Sequence, residues 1–290
     1  MKNKQAKFTK ATFDKRFPDN DACLDWLVNH LNPNGIECPV CKKITKFAKL
    51  HKRPVYACDV CRHQISPLAN TIFHKSPTPL KVWFEAIFEI ANTRTGYSAK
   101  ALQRKTGVTY KTAWRMFKQI RAMLDENHDL FTDKVEVDET YVGGKRTGKR
   151  GRGAEGKTAV VGIVQRQGKI TTTVVANTKR STVMPLITKN VARKSVIYTD
   201  EYPTYDIVDR LGYHHETVNH GAGQYVIGDA HTNTIEGFWS LTKRGISGVY
   251  HAVSPKYLQS YLNEYEFRYN HRKDEQPMFE TVLNRISFFF

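Results

Sequence analysis

Apolar residues recur at helical spacing near the start of the chain. Residues 8 to 31 carry a loose apolar face that a proline at position 18 divides. Because proline is poorly tolerated inside a helix, we expect the main helix to begin after Pro18. The residues that follow it are good helix caps: Asp19, Asn20 and Asp21. The pattern predicts a helical amino-terminal segment over residues 1–35.

Between residues 77 and 128 the apolar pattern predicts three helices. The first runs from Leu80 to Thr93, after a proline-containing linker, and the other two lie on either side of Gly107. Two short helices joined by a glycine turn are typical of a helix-turn-helix, whose second helix enters the major groove of DNA. Thr109 is the expected cap of that helix. Its leading residues are the predicted DNA contacts: Tyr110, Lys111, Thr112 and Arg115. The alternative interpretation is a plain helical hairpin.

Beyond residue 132 the helical period gives way to alternation. Valines at 135 and 137 fall on one face of a predicted strand, and Glu136 and Asp138 fall on the other. The pattern then predicts two strands, a helix, a strand, a short helix, a strand and a helix, over these ranges: 158–165, 169–176, 181–191, 195–198, 203–211, 214–218 and 231–245. This order is close to that of a ribonuclease-H-like α/β sheet. We therefore predict a catalytic domain over residues 133–290.

A long amphipathic helix from Ser254 to Arg272 is predicted within that domain. Its apolar face is rich in tyrosine and phenylalanine. An aromatic stripe at this spacing is more often a core or a dimer contact than a base-stacking surface. The helix is therefore interpreted as structural.

The net charge of the chain indicates the kind of partner that it binds, which the apolar pattern alone does not. The chain has 290 residues, 40% of them hydrophobic, with a net charge of +17 and a pI of about 9.6. A core is therefore feasible, and the excess of positive charge indicates a polyanionic partner, most simply double-stranded DNA. No apolar run approaches the roughly 20 residues of a membrane span, and the basic amino terminus lacks the apolar segment of a signal peptide. We expect a protein of the bacterial cytoplasm, associated with the nucleoid and without a membrane partner.

Four of the five cysteines form two Cys-x-x-Cys pairs. Cys38 and Cys41 are followed, after sixteen residues, by Cys58 and Cys61. This spacing predicts a tetrahedral zinc site in a zinc ribbon over residues 36–66. Four thiolates leave no open coordination position, so the predicted zinc is structural. Cys23 stands alone and is interpreted as a small buried hydrophobic residue.

Three carboxylates stand where a site for phosphodiester chemistry would need them. Asp138 lies on the first predicted strand of the α/β domain, Asp200 at the end of a later strand, and Glu236 on a late helix. Hard divalent cations prefer carboxylate oxygens, and two of them can promote phosphodiester cleavage. The placement predicts a site for Mg²⁺ or Mn²⁺. Each residue taken alone is more often a paired or solvent-exposed carboxylate.

Basic residues flank these carboxylates. Lys243 follows Glu236 by seven residues, nearly two helical turns, so that both side chains leave one face of the helix. We predict that Lys243 and its neighbour Arg244 contact DNA phosphate. The glycine-rich segment 143–156 is interpreted as a loop that grips the DNA backbone through five basic residues: Lys145, Arg146, Lys149, Arg150 and Arg152. The alternative is a solvated hairpin tip.

Three segments of the chain resemble those of bacterial DDE transposases. They are Val-Asp-Glu-Thr-Tyr-Val-Gly-Gly-Lys145, Tyr-Thr-Asp-Glu-Tyr202 and His-Thr-Asn-Thr-Ile-Glu-Gly-Phe-Trp-Ser-Leu-Thr-Lys-Arg-Gly245. The chain is most similar to the insertion-sequence 1595 type, which is related to Merlin elements and also combines a zinc ribbon with a tyrosine-rich helix. That helix ends here in Tyr269-Asn-His-Arg272. The resemblance covers residues 38 to 272.

The resemblance implies a ribonuclease-H-like catalytic domain that cleaves and joins transposon ends with Mg²⁺. By position, the catalytic triad corresponds to Asp138, Asp200 and Glu236, and the family's added basic residue corresponds to Lys243. Some relatives carry asparagine where this chain has Glu236, so the acidic form suggests catalytic competence. Since two transposon ends must be paired, at least a homodimer is expected on DNA.

Three alternatives remain open at this point. The first is a domesticated regulator that binds DNA without catalysis, and the second is a ribonuclease-H-like nuclease that cuts without joining. The third is a zinc-ribbon protein that binds RNA or acts as a scaffold, which leaves the arrangement of the three carboxylates unexplained. Inverted repeats flanking the gene would distinguish a transposase from the first two.

Overall fold

The computed structural model describes residues 8–50, 53–143, 156–218 and 231–288. Its elements up to residue 124 are α1 (Lys10–Arg16), α2 (Asn20–Leu31), β1 (Ile36–Glu37), β2 (Ile44–Thr45), β3 (Phe47–Lys49), β4 (Tyr56–Cys58), β5 (Gln64–Ile65), α3 (Leu80–Asn92), α4 (Ala99–Thr106) and α5 (Tyr110–Ala122). The elements that follow are β6 (Lys134–Val142), β7 (Thr158–Gln165), β8 (Ile170–Val175), α6 (Arg180–Asn190), β9 (Val196–Asp200), β10 (His214–Val218), α7 (Asn233–Gly245), α8 (Pro255–Asn270) and α9 (Met278–Leu283).

The chain divides into two compact units. The first unit comprises Met1–Thr93, Tyr97–Leu124 and Lys273–Phe290, and the second comprises Arg94–Gly96 and Asp125–Arg272. The carboxy-terminal segment from Lys273 therefore differs from the expected single domain over residues 133–290. It belongs with the first unit because its helix α9 supplies an aromatic side chain to that unit's core.

Aromatic packing accounts for this placement of α9. The ring of Phe279, which is 1% exposed, lies 4.7 Å from that of Phe8, 5.6 Å from that of Phe13 and 5.7 Å from that of Phe88. Burying a phenylalanine of this size contributes about 1.5–3 kcal/mol to folding. Hydrophobic burial thus holds the carboxy-terminal helix against α1 and α3, which lie near the start of the chain.

Local caps fix the helices of the first unit. Of the three caps that the sequence offered, Asp19 caps α2, since its carboxylate accepts a hydrogen bond of 2.8 Å from the backbone N–H of Ala22. Helix α4 ends at Gly107, whose positive φ of 76° favours glycine, and Thr109 caps α5 through the N–H of Thr112. The two helices and their turn lie where they were predicted.

The second unit is built on a five-stranded sheet with the order β10-β9-β6-β7-β8. Strands β6, β7 and β8 pair antiparallel, whereas β6 pairs parallel with β9, and β9 pairs parallel with β10. Helix α6 connects β8 to β9, and α7 and α8 follow β10. This agrees with the ribonuclease-H-like order that the sequence predicted.

Both faces of this sheet are buried. On one face β6 contributes Val135 and Val137 to a core shared with α6, and on the other face Val142 packs with residues of α7 and α8. The predicted helix over 203–211 is replaced by two 3₁₀ turns at Pro203–Tyr205 and Asp209–Leu211. Helix α7 continues directly into a π-helical turn, Ile246–Tyr250, which the sequence analysis did not predict.

Helix α8 covers the edge of the sheet at β8 with side chains instead of a further strand. Asn270 accepts from the N–H of Ile170 at 2.8 Å, Glu266 from that of Thr172 at 3.0 Å, and Gln259 from that of Val174 at 2.8 Å. The amides of Asn270 and Gln259 also donate to the carbonyls of Ile170 and Thr172. Because edge strands otherwise present unpaired backbone groups, this ladder of side chains closes the sheet on that side.

The position of Glu266 in this ladder predicts a pH-dependent stability. Desolvation raises the pKa of Glu266 from 4.5 to about 8, while the hydroxyl and N–H of Thr172 act in the opposite direction. Folding then favours the protonated form, so this contribution to stability is complete below pH 4.5 and is lost as the pH rises through about 8. We expect the free energy of unfolding of Glu266→Gln, measured with urea, to fall less between pH 5 and pH 8 than that of the wild type. Identical pH slopes would contradict this prediction.

Candidate active site and zinc centre

The four clustered cysteines bring their sulfur atoms together in the first unit. All four Sγ atoms lie within 4.8 Å of one another, with 3.5 Å between Cys38 and Cys61 and 3.9 Å between Cys41 and Cys58. Tetrahedral zinc with Zn–S bonds of about 2.3 Å requires sulfur atoms about 3.8 Å apart. The spacing of the thiols therefore fits a four-coordinate zinc ion with no open position.

Two matching backbone turns hold the cysteines. The carbonyl of Cys38 accepts from the N–H of Lys42 at 2.8 Å, and that of Cys58 accepts from the N–H of Arg62 at 2.9 Å. Lys42 and Arg62 both have positive φ angles, 55° and 62°. The hydroxyl of Thr45 lies 3.2 Å from Cys58 Sγ. Chiefly because of this hydroxyl, and then of backbone N–H groups, the pKa of Cys58 falls to about 6, which favours the thiolate that zinc binds.

Asp138 and Asp200 lie on adjacent strands of the second unit. The parallel register pairs Glu136 of β6 with Tyr198 of β9, and each aspartate stands two residues beyond that pair. Since side chains two residues apart on a strand point to the same face, both carboxylates leave the same side of the sheet. Asp200 Oδ1 also accepts from the N–H of Tyr202 at 3.1 Å.

The two carboxylates interact electrostatically. Burial is the main cause that raises the pKa of Asp138 to about 7, and the negative charges of Glu139 and Asp200 raise it further. Trp239 Nε1, at 3.0 Å from Asp138 Oδ2, favours the ionised form. Crowded carboxylates of this kind constitute a donor set that a hard divalent cation would satisfy.

Helix α7 carries the other two predicted residues of the site. Lys243 is close enough for Asp138 to raise its pKa, although desolvation is the larger influence and lowers the pKa overall. Glu236 is exposed, and its Oε1 accepts from the hydroxyl of Thr232 at 2.9 Å. Among the residues that the structure describes, only the four cysteines converge as a group of three or more potential ligands. The carboxylate of Glu236 is thus on the adjacent helix but not drawn into one cluster with the two aspartates.

Family models match both parts of the chain. A zinc-ribbon domain of transposases matches residues 18–64, and an ISXO2-like transposase domain matches residues 130–270. A transposase-like protein of Haemophilus influenzae is 30% identical over 118 residues, which cover 93% of its length and 41% of this chain. The chain belongs to the IS1595 family of transposases. The predicted zinc ribbon and transposase domain are thereby confirmed.

Other proteins and solved structures are similar to parts of this chain. A protein of the transposable element ISH50 in Halobacterium salinarum is 28% identical over 270 residues, which cover 86% of this chain and 91% of that protein. Among solved structures, a simian T-cell lymphotropic virus intasome chain gives a TM-score of 0.33 at 15% identity, covering 64% of this chain and 70% of its own length. A Mos1 transpososome chain gives a TM-score of 0.28 at 13% identity, with coverages of 71% and 79%.

The predicted DNA-contacting residues of α5 differ in their surroundings. Tyr110 is 46% exposed and Lys111 is also exposed, but Arg115 is turned inward and donates from Nη2 to Ser76 Oγ at 3.1 Å. At the helix cap, the hydroxyl of Thr112 accepts a hydrogen bond of 3.0 Å from the hydroxyl of Thr109. Arg115 therefore has a structural contact within the first unit that the sequence pattern could not reveal.

The remaining predicted DNA contacts are Arg244 and five basic residues of the glycine-rich loop. Arg244 of α7 is exposed, and its Nε donates to the carbonyl of Ser240 at 3.3 Å. The basic loop residues lie outside the described residues and stay predictions: Lys145, Arg146, Lys149, Arg150 and Arg152. In the described ranges no helix is long and apolar enough to cross a membrane.

Sequence reasoning missed two residues that contact α7 or the acidic site. Glu136, which is fully buried, binds the first turn of α7, and Trp239 binds Asp138. One signal was available for each. Glu136 shares the polar face of β6 with Asp138, and Trp239 follows Glu236 by three residues on one face of the helix.

Proposed function

We propose that this protein is an active DNA transposase that binds the terminal inverted repeats of its element and catalyses phosphodiester hydrolysis and strand transfer. The observation that carries the proposal is the pair of interacting carboxylates, Asp138 and Asp200, on adjacent strands beneath the helix that bears Glu236 and Lys243. A protein that only bound DNA would gain nothing from Asp138, whose desolvation disfavours its charge.

In this proposal Asp138, Asp200 and Glu236 would hold Mg²⁺ or Mn²⁺. Such cations, when bound, supply charge neutralisation and a reactive water for phosphodiester cleavage. Glu236 would complete this set of ligands from α7. Lys243, whose neighbour across the site is Asp138, would hold a DNA phosphate beside the scissile bond.

The reaction has two steps. In the first, a water oxygen bonds to phosphorus at the end of the element, the bond from phosphorus to the 3′ oxygen breaks, and that oxygen takes up a proton to become a free 3′-OH. In the second, this hydroxyl loses its proton and its oxygen bonds in line to the phosphorus of a target phosphodiester. The bond from that phosphorus to the target's 3′ oxygen breaks, and the released oxygen takes up a proton. Neither step forms a covalent enzyme intermediate.

Several surfaces of the chain would bind the element's ends. The exposed side chains of Tyr110 and Lys111 lie at the start of α5, and Lys100 Nζ lies 5.0 Å from the Tyr110 ring. This positive, aromatic patch supports docking of α5 in a DNA groove, as in a helix-turn-helix. The net charge of +17 supports further contacts to phosphate, including those proposed for the basic loop and Arg244. Pairing of two ends requires at least two copies of the chain on DNA.

A cleavage assay tests this proposal. The purified full-length protein is incubated with Mg²⁺ and duplex DNA that carries the repeats flanking its gene, beside the variant Asp200→Asn. We expect nicks at the repeat ends and joined products from the wild type, and binding without either product from the variant. Nicks without joined products would favour a nuclease, and binding without any cleavage in Mg²⁺ or Mn²⁺ would favour a DNA-binding regulator.

A further inference from the structure

The start of α7 is held by a carboxylate from β6. Glu136 accepts from the N–H groups of Thr234 at 2.9 Å and Ile235 at 3.0 Å, from the Thr234 hydroxyl at 2.9 Å and from Arg166 Nε at 2.8 Å. The first N–H groups of a helix have no partner within the helix, and Thr232 at the N-cap makes no side-chain capping bond. A buried glutamate from the sheet therefore caps α7 and also carries charge of the sign that the helix dipole favours there.

A second contact joins the same strand to the same helix. Trp239 Nε1 donates to Asp138 Oδ2 at 3.0 Å, and the indole is 4% exposed. Asp138 pairs with Gly162 of β7, and a Cβ atom at Gly162 would lie 2.5 Å from Cζ2 of Trp239. Glycine in the middle of a strand weakens it, so its presence here has a packing reason. The indole occupies the space that a side chain would otherwise fill.

The spacing of these two contacts matches along both elements. Glu136 and Asp138 are two residues apart on β6, about 6.7 Å along a strand. Thr234 and Trp239 are five residues apart on α7, about 7.5 Å along a helix. Because their spacing matches, the two contacts fix both the position of α7 along the strand and its rotation about its own axis. Glu236 and Lys243 lie three residues before and four after Trp239, on the same helical face.

We propose that Trp239 is a positioning residue for the acidic site. Its indole N–H holds Asp138 Oδ2 and leaves Oδ1 as the oxygen that would be available to a divalent cation. Together with the Glu136 cap it fixes the position of α7, the helix that carries Glu236. This inference rests on the proposed function, because it assigns a role within the same cation site. A residue that merely filled space would contribute to stability but would not affect the affinity for cations.

The variant Trp239→Phe separates these roles, because phenylalanine keeps an aromatic ring over Gly162 and removes the N–H donor. We expect Mn²⁺ affinity, measured from the free-ion electron paramagnetic resonance signal of the complex with end DNA, to fall about 10- to 100-fold. The Mg²⁺ concentration for half-maximal cleavage should rise by the same factor. The thermal midpoint measured without added Mg²⁺ or Mn²⁺ should fall, because a buried hydrogen bond is lost, whereas the affinity for end DNA should stay unchanged. Gly162→Ala, which pushes the indole, should reproduce the loss of Mn²⁺ affinity.

A matched control is available in the first unit. Trp83 is fully buried and also donates from Nε1, to Ser76 Oγ at 3.1 Å, so Trp83→Phe removes an equivalent bond away from the carboxylates. It should leave Mn²⁺ affinity unchanged. Wild-type Mn²⁺ affinity in Trp239→Phe would overturn the positioning role, whatever its cleavage rate. A third outcome would separate the two proposals. If the wild type bound Mn²⁺ through Asp138 but cleaved no DNA, and Trp239→Phe bound Mn²⁺ more weakly, the positioning role would be supported and the proposed function refuted.

Discussion

Replacing Asp138 by asparagine is expected to lower the rate of DNA cleavage by at least about a thousandfold, since removal of one member of an interdependent catalytic set abolishes most of its effect. Asparagine is close to aspartate in size, and its carbonyl oxygen can still accept from Trp239 Nε1. The change removes charge rather than packing. Binding of end DNA should therefore persist, and a filter-binding or mobility-shift assay beside the cleavage assay would separate the two effects.

The same substitution should stabilise the protein when no Mg²⁺ or Mn²⁺ is added. Because burial raises the pKa of Asp138 from 3.8 to about 7, the ionised side chain costs free energy in the folded state. The stability contribution of Asp138 is complete below pH 3.8 and is lost as the pH rises through about 7. At about 1.4 kcal/mol per pH unit, Asp138→Asn should be more stable than the wild type at pH 8 by up to about 4 kcal/mol.

Added Mg²⁺ should reduce the difference in stability between Asp138→Asn and the wild type. A cation that binds only the folded protein raises the thermal midpoint, and the gain should be confined to the wild type. If Asp138→Asn cleaved DNA at more than a tenth of the wild-type rate, the assignment of Asp138 to the catalytic site would be wrong. Loss of end binding in the variant would instead indicate that this side chain contacts DNA.

Removal of zinc is expected to unfold the ribbon in the first unit. The strands that connect the cysteines are two or three residues long, too short to hold together without the metal. Structural zinc contributes about 10–16 kcal/mol of apparent binding free energy in small domains, and that energy is coupled to folding. In Cys58→Ser we expect loss of bound zinc and rapid proteolysis within residues 36–66.

Cys23 provides the control for this experiment. It is fully buried in α2 and does not belong to the group of four thiols that converge. Cys23→Ala should therefore retain a full equivalent of zinc and normal resistance to protease in the ribbon. If Cys58→Ser also kept its zinc and its protease resistance, the four-thiol site would be refuted.

The features that the sequence predicted well are those encoded over short distances. The zinc centre depends on two Cys-x-x-Cys turns, whose geometry is set by a few neighbouring residues. The polar face of β6 followed from alternation alone, and the start of α5 followed from Gly107 and Thr109. In each case the physical determinant lies within a few residues of the element that it specifies.

The features that sequence reasoning missed depend on long-range contacts. Trp239 and Asp138 are 101 residues apart, and the inward orientation of Arg115 depends on Ser76, which is 39 residues away. No periodicity within one segment carries that information. The assignment of the carboxy-terminal segment to the first unit likewise depends on Phe279, whose partners lie near the start of the chain. The catalytic roles of Asp138, Asp200, Glu236 and Lys243 remain predictions.

The side-chain ladder from α8 to β8 has a consequence for synthesis on the ribosome. Gln259, Glu266 and Asn270 come 85, 94 and 100 residues later in the chain than the backbone groups that they bind. The nascent sheet therefore exposes an open edge until α8 has emerged from the exit tunnel. Since such edges recruit strands from other chains, a translation product truncated before Gln259 should aggregate, and chaperone demand should be greatest during this interval.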